Sequence, residues 1–480
     1  MLTNRRNTAL PQLGEGQTPS PGGIKMKKYL LPLAVFVTLV WGGIAGAYES
    51  FTGPTGVLHW DKKKAYDGYT LFAPMINCTT TYLIDMEGNV VHTWKSKYPP
   101  GLYAELLPNG NLLRGAVLPR KNKKGYCGIG GAGGLIEEID WSGKVVWRYK
   151  LWKKGTEIQH HTFHRMPNGN TILLAWEVKN RQEGIDKGRD PATLPTKPVV
   201  QKGVPMDDWW VDFIREVDKD GNTVWEWHVW DHIGTGPDQL DINHKLPDPV
   251  GLTYPNWDWS HFNSVDYIPE TDQIVLNSRN FGEFYFINHK TGKIEYRWGN
   301  PSAYDQGKLP SWYDNGDQKV FGTHAAVVLD NGNILLFDNG SERPEERRSA
   351  VLEIDPKTGD VVWEFEPKHT SSFFSYRQGA AQRLPNGNTF VTSTHAGHLF
   401  EINKKGQIVW DYVSPIFANK AKCVVDDGDS FDRKYHQNGM TNMIHRAYRY
   451  GADYPGLKGK DLSKKNPLVK DCPGFFKTYK

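Results

Sequence analysis

The chain of 480 residues is 23 % charged and 38 % hydrophobic, the composition of a folded globular protein rather than a disordered one. Its formal net charge is +4, but residues 1–47 hold five Lys/Arg against one Glu, so the remainder carries 53 basic and 53 acidic residues. That balance gives no reason to expect nucleic acid or an anionic membrane as a partner.

The first element reads as a secretory signal. Lys25, Lys27 and Lys28 form a basic stretch, Leu30–Val40 an apolar run, and Ala45-Gly46-Ala47 a small-residue cleavage site before Tyr48. Met26 is a candidate start for it. As a membrane anchor the run is short, since a bilayer span takes about 20 apolar residues. Residues 1–47 are therefore read as leader and signal, and the mature chain is expected in the periplasm or outside the cell, without membrane contact after cleavage. Cys78, Cys127, Cys423 and Cys472 suggest two disulfides in such a compartment, with three connectivities open. Pairing sequence neighbours gives Cys78–Cys127 and Cys423–Cys472. No C-x-x-C occurs, so zinc ribbons, haem c attachment and thioredoxin-like chemistry find no support.

After a short N-terminal segment (48–67), one pattern recurs six times. It is an Asp or Asn, a Gly turn, then a hydrophobic run ending in an aromatic residue. The copies run Asp85–Trp94, Asp140–Trp147, Asp218–Trp225, Asn288–Tyr296, Asp355–Trp363 and Asn403–Trp410, and their Gly residues lie 47 to 78 residues apart. A second signature alternates with the first: Leu107-Pro-Asn-Gly-Asn111, Met166-Pro-Asn-Gly-Asn170, Leu329-Asp-Asn-Gly-Asn333 and Leu384-Pro-Asn-Gly-Asn388, with a degenerate copy at Ile268–Gln273. Asn-Gly between apolar runs is a hairpin signal, because both central residues accept positive φ. Each unit thus reads as four antiparallel strands. The expected fold is all-β, a six-bladed β-propeller over residues 68–450. Hairpin turns in all six units favour it over a parallel β-solenoid or two packed sandwiches. The first unit lacks an innermost strand, and Thr441–Tyr450 is spare at the other end. It is expected to complete the first blade and so remove an open edge. Residues 451–480 are left as a tail, and Gly128–Gly134, with no long helix after it, reads as a loop.

In such a blade the innermost strand starts at one mouth, and the second strand returns to that mouth. His160, His161, His261, His324 and Arg377 fall at innermost-strand starts. Arg279, Arg348, His395 and His398 fall after second strands. The Asn-Gly face is poor in such groups. Arg offers forked donors to an oxyanion, and His acts as acid, base or nucleophile near neutral pH. Any one of these histidines is also a natural structural hydrogen-bonder. Three together could hold a metal, but the neighbouring Arg residues would repel a cation.

At these residues the chain resembles the bacterial arylsulfate sulfotransferases that work without a nucleotide sulfate donor, from about residue 68 to 450. The segments that carry the resemblance are Asp258-Trp-Ser-His261-Phe-Asn-Ser-Val265, Gly322-Thr-His324-Ala, Leu336-Phe-Asp-Asn-Gly340, Arg348 with Val351–Asp355, and Asn442-Met-Ile-His-Arg446-Ala-Tyr-Arg-Tyr450. The resemblance implies a site on the propeller axis; no cofactor and no metal are expected. It implies that a His attacks the sulfur of a phenolic sulfate, becomes sulfated, and passes the sulfuryl group to a second phenol. By position, His261 and His324 match active-site histidines and Arg348 the sulfate-binding Arg, with Arg377 a further candidate. An ungapped match to His398-Leu-Phe-Glu401 ranks His398 first as nucleophile. Blade symmetry places His395 closest to the mouth and ranks it second. Arg348 and His261 would hold sulfuryl oxygens, and His324 would shuttle the phenol proton. Trp257, Trp259 and Phe262 are candidates for stacking on an aryl group, and equally for blade core. The family's best-known members carry a separate N-terminal β-domain, where this chain has about 20 residues between Tyr48 and the first strand. Two other functions stay open: a non-catalytic ligand-binding or scaffold propeller, and a metal-dependent propeller hydrolase.

Overall fold

The computed structural model describes residues 54–76, 78–118, 130–194, 200–201, 204–205, 208–244, 258–369, 372–419, 423–425 and 440–468. The signal segment, Cys127, Cys472 and Trp257 lie outside them. Six blades of four antiparallel strands form a β-propeller. Blade two runs Pro100–Leu106, Leu112–Val117, Gly134–Ile139 and Val145–Lys150 from the inside out. Blades three to six begin with Glu157–Arg165, Phe262–Ile268, His324–Val328 and Ala380–Arg383. Blade one is assembled from both ends of the described chain. Its innermost strand is Ile444–Gly451, followed outward by Gly68–Pro74, Thr80–Ile84 and Asn89–Lys95. The closing strand expected at 441–450 therefore does its expected work. Two short pieces extend outer edges: Gly56–Trp60 pairs with Ile408–Val413 of blade six, and Asn466–Pro467 with Asn89–Lys95 of blade one.

The repeat has a mechanical explanation. All six repeat glycines take positive φ, from 70° at Gly292 to 89° at Gly143, which an L side chain adopts only with strain. The leading Asp closes the turn: Asp85 Oδ1 accepts from the backbone N–H of Glu87 and Asn89, and Asp218 Oδ1 from Asp220 and Asn222. A Trp on five of the six outer strands then donates its indole N–H to this turn in the next blade. Trp94 reaches Asp140 O, Trp147 Lys219 O, Trp227 Gly292 O, Trp298 Gly359 O, and Trp410 Met86 O, at 2.7–3.1 Å. At the remaining junction Phe365 lies against Gly406 instead. The tryptophans and the glycine turns are thus two halves of one blade-to-blade joint.

Inside, side chains of one innermost strand satisfy backbone groups of the next. Thr162 Oγ1 accepts from Val265 N–H, Ser264 Oγ from Ala326 N–H, and Asp266 Oδ2 from Val328 N–H. Trp259 and Phe262 are 7 % and 0 % exposed within the apolar layer between blades three and four, so both are core. The neighbour pairing of cysteines does not hold. Cys78, in the loop after blade one's second strand, is bonded to Cys423 in a hairpin that follows blade six. Propeller closure brings these loops together across 345 residues of sequence.

Candidate active site

The innermost strands do not start cleanly. Blades two to six each have one non-glycine residue in left-handed conformation there: Leu102, His161, His261, Ala325 and Gln378, at φ between 42° and 81°. In blades two to five the hydrogen-bond register slips at the same place. A left-handed L residue costs about 1–2 kcal/mol, so five in equivalent places mark a position held against strain. In blades two to five these slips are bulges, which re-aim side chains relative to the pleat.

Four histidines meet there. The His161 ring lies 4.9 Å from that of His261 and 6.4 Å from that of His445. His324 faces His261, Arg279 and Arg446 closely enough that all three disfavour its protonation. All four histidines are at most 7 % exposed. Burial, with the neighbouring imidazoles and guanidinium groups, pushes His161, His324 and His445 well below the ordinary imidazole value and keeps them neutral. The glycine-rich loop serves this packing. A Cβ at Gly131 would stand 2.2 Å from the His161 ring, and Gly131 O accepts the His161 N–H.

Two of the rings are oriented by fixed partners. His261 Nδ1 lies 2.6 Å from the buried Asp258 carboxylate, which fixes the orientation of the ring. His324 Nδ1 lies 2.6 Å from Asn339 Oδ1 and 3.1 Å from Gly322 O. The Asn339 amide donates to Ser375 O and Gln378 O, which fixes its oxygen toward His324 and so fixes His324 as the Nδ1–H tautomer. His160 stands behind this layer, stacked at 3.8 Å on Trp176 with Nε2 2.9 Å from Asp212 Oδ1. Among the described residues no three His, Cys, Asp or Glu converge as a metal-holding group.

The remaining expected residues divide. His395 lies in the loop between blade six's second and third strands. Its Nδ1 is 3.4 Å from Ser375 Oγ, its ring stacks at 4.4 Å on the half-exposed Tyr376, and the Arg377 guanidinium lies 5.1 Å over the Tyr376 ring. Burial and Arg377 lower its value to about 4. His398 opens blade six's third strand, and its Nε2 is 2.7 Å from Asp411 on the fourth strand. Arg348 pairs with the exposed Glu366, and Arg279 with Glu342. A cleft of about 470 Å³ bounded by Lys63, Lys64, Asp67, Asn386 and Asp453 sits at the opposite, Asn-Gly face.

His445, Arg446 and Asp258 were not singled out as site residues by the sequence. The signal was available: Thr441–Tyr450 reads as an innermost strand, and the starts of such strands face the mouth. Arg446 donates to Asn263 O of blade four at 3.0 Å, which carries its guanidinium across the axis.

Residues 200–445 match the family model described as Arylsulfotransferase (ASST). Arylsulfate sulfotransferase AssT of Escherichia coli O6:H1 is 24 % identical over 417 residues, covering 74 % of this chain. The chain spans 65 % of that relative's length. Among solved structures, a protein of unknown function from Bacteroides caccae superposes with a TM-score of 0.43 at 11 % identity, covering 72 % of this chain and 93 % of its own. An inactive virginiamycin B lyase from Staphylococcus aureus gives 0.38 at 10 %, covering 75 % and 88 %.

Proposed function

The chain belongs to the arylsulfotransferase family, and from that premise we propose that it moves a sulfuryl group from a phenolic sulfate to a phenol through a sulfohistidine intermediate. The observation that carries the reading is the axial cluster: neutral histidines and guanidinium groups gathered at one mouth, suited to a small anion with an aromatic tail.

In this reading His395 is the nucleophile. It is neutral, it is reachable from the mouth, and Ser375 and Asn339 link it to His324. Its imidazole nitrogen forms an N–S bond as the S–O bond to the donor phenol breaks. The leaving phenolate takes a proton from the His261–Asp258 pair. The acceptor phenol then returns its proton to that pair, attacks sulfur, and the N–S bond breaks. Tyr376 offers an aryl-stacking face, and Arg377 a cation for the sulfuryl oxygens. Arg348, held by Glu366 at the rim, would act on the incoming donor. His398, held by Asp411, would support the blade behind His395. The Cys78–Cys423 disulfide fits a chain exported to an oxidising compartment.

The test is incubation with 4-nitrophenyl sulfate, with and without phenol. Nitrophenol release that requires phenol, ping-pong kinetics, and a sulfated His395 peptide by mass spectrometry are expected. Absence of turnover and of any adduct with several aryl donors overturns the reading.

A further inference from the structure

We infer that the closing strand supplies two substrate-contacting residues, His445 and Arg446, which bind the sulfuryl group under transfer. The inference rests on the sulfuryl-transfer reading above and adds residues that it does not use.

His445 is fully buried, yet neither ring nitrogen has a hydrogen-bond partner among the described residues. A buried unpaired polar atom costs about 1–3 kcal/mol, and His445 carries two. Its ring faces the imidazoles of His161 and His324 and the guanidinium of Arg446. Arg446 is 5 % exposed. One of its terminal nitrogens is held by Asn263 O, while its Nε has no partner among the described residues. Two unpaired donors, the one N–H of the neutral His445 ring and the Arg446 Nε–H, thus stand on adjacent residues of the closing strand.

The backbone ties that place to the proposed nucleophile. Thr394, directly before His395, donates its hydroxyl to His445 O at 3.1 Å, and Thr394 O accepts the Ile444 N–H. The innermost strand of blade one therefore runs beside the loop that carries His395. A group with oxygens able to accept several hydrogen bonds would satisfy the orphaned donors. Sulfuryl is such a group, and a neutral imidazole beside a guanidinium can hold it without repelling the incoming anion.

The experiment uses the full chain and two probes: 4-nitrophenyl sulfate for turnover, and unreactive 4-nitrobenzenesulfonate for binding by calorimetry. His445→Ala is expected to lower kcat/KM about 100-fold and to weaken sulfonate binding about 10-fold, at an unchanged circular dichroism spectrum. His445→Gln, which keeps an N–H donor and fits the same strand, recovers part of both. Arg446→Lys keeps the charge but loses the fork, and weakens sulfonate binding. The loss in His445→Ala is expected to be the same for good and poor leaving phenols, because the contact is to sulfuryl and not to the phenolic oxygen. Folded His445 variants with wild-type kcat/KM and wild-type sulfonate affinity overturn the inference. The two readings fail differently. A wild-type chain that binds the sulfonate through His445 but turns over no aryl sulfate refutes the transferase reading and leaves the anion site standing.

Discussion

The two ends of the innermost strands of blades three and five obey different rules. At the Asn-Gly end these blades turn through glycines in open space: a Cβ at Gly169 or Gly332 would meet nothing within 4 Å. At the mouth end, non-glycine residues are held left-handed inside a crowded cluster, His161 and His261 among them. The first end relieves strain with a residue type. The second keeps strain and surrounds it with buried partners. The difference separates the part of the blade that specifies the fold from the part that positions reactive groups.

That contrast can be broken experimentally. The largest effect should come from His395→Ala, which removes the proposed nucleophile and is expected to reduce turnover at least about 1,000-fold. His398→Ala should stay within about 10-fold, because its ring is engaged by Asp411. Equal losses in the two variants would erase the distinction between loop and blade. Asp258→Asn should lower kcat about 10–100-fold with little change in KM, since it disturbs the orientation of His261 and not donor binding.

Proton linkage gives the next effect. His395, His92 and His244 are each lowered to about 4 by burial and nearby cations. An unfolded His takes its proton near pH 6.5, so below that pH the unfolded chain binds more protons than the folded one. Stability is then complete above about 6.5 and falls as the pH drops toward 4. Denaturant midpoints measured from pH 7 to pH 4 should decline throughout. The acid limb of kcat/KM, set by a nucleophile that stays neutral, should lie near pH 4 rather than 6.5. A limb at the ordinary imidazole value would place the nucleophile in a more open environment.

The turn face should respond in stability alone. Trp227→Phe removes the indole donor to Gly292 O and is expected to cost about 2 kcal/mol, read as a Tm a few degrees lower at unchanged kcat. Smallest is Gly169→Ala, at φ +88° with open space around it, at about 1 kcal/mol. Loss of activity at full stability in either variant would mean that the two faces are coupled.

Much of this was legible in the chain. The six Gly turns, the four Asn-Gly turns and the spare strand at 441–450 are local signals, because positive φ and hairpin geometry are decided by neighbours in sequence. Blade topology then put His261, His324 and His395 on one face. The rest depended on contacts between distant residues. His398 and His395 are three residues apart, and the motif match favoured the first. Strand pairing sends the His398 ring to Asp411, whereas a loop turns His395 toward Ser375 and Tyr376. The disulfide followed the same logic: neighbouring cysteines are close in sequence, but closure of the ring is what brings Cys78 to Cys423.

The sequence by itself determined the architecture, because each blade is specified by turns and alternating runs of its own. Only the tertiary structure decided the site. A propeller axis is shared by all six blades, so which side chains meet there depends on bulges, register slips and a strand contributed from the far end of the chain. His445 and Arg446 show the reason most plainly. They lie some 370 residues from the strand, Gly68–Pro74, with which theirs pairs, and nothing local marks them as neighbours of His161, His324 or Asn263 until the ring is closed.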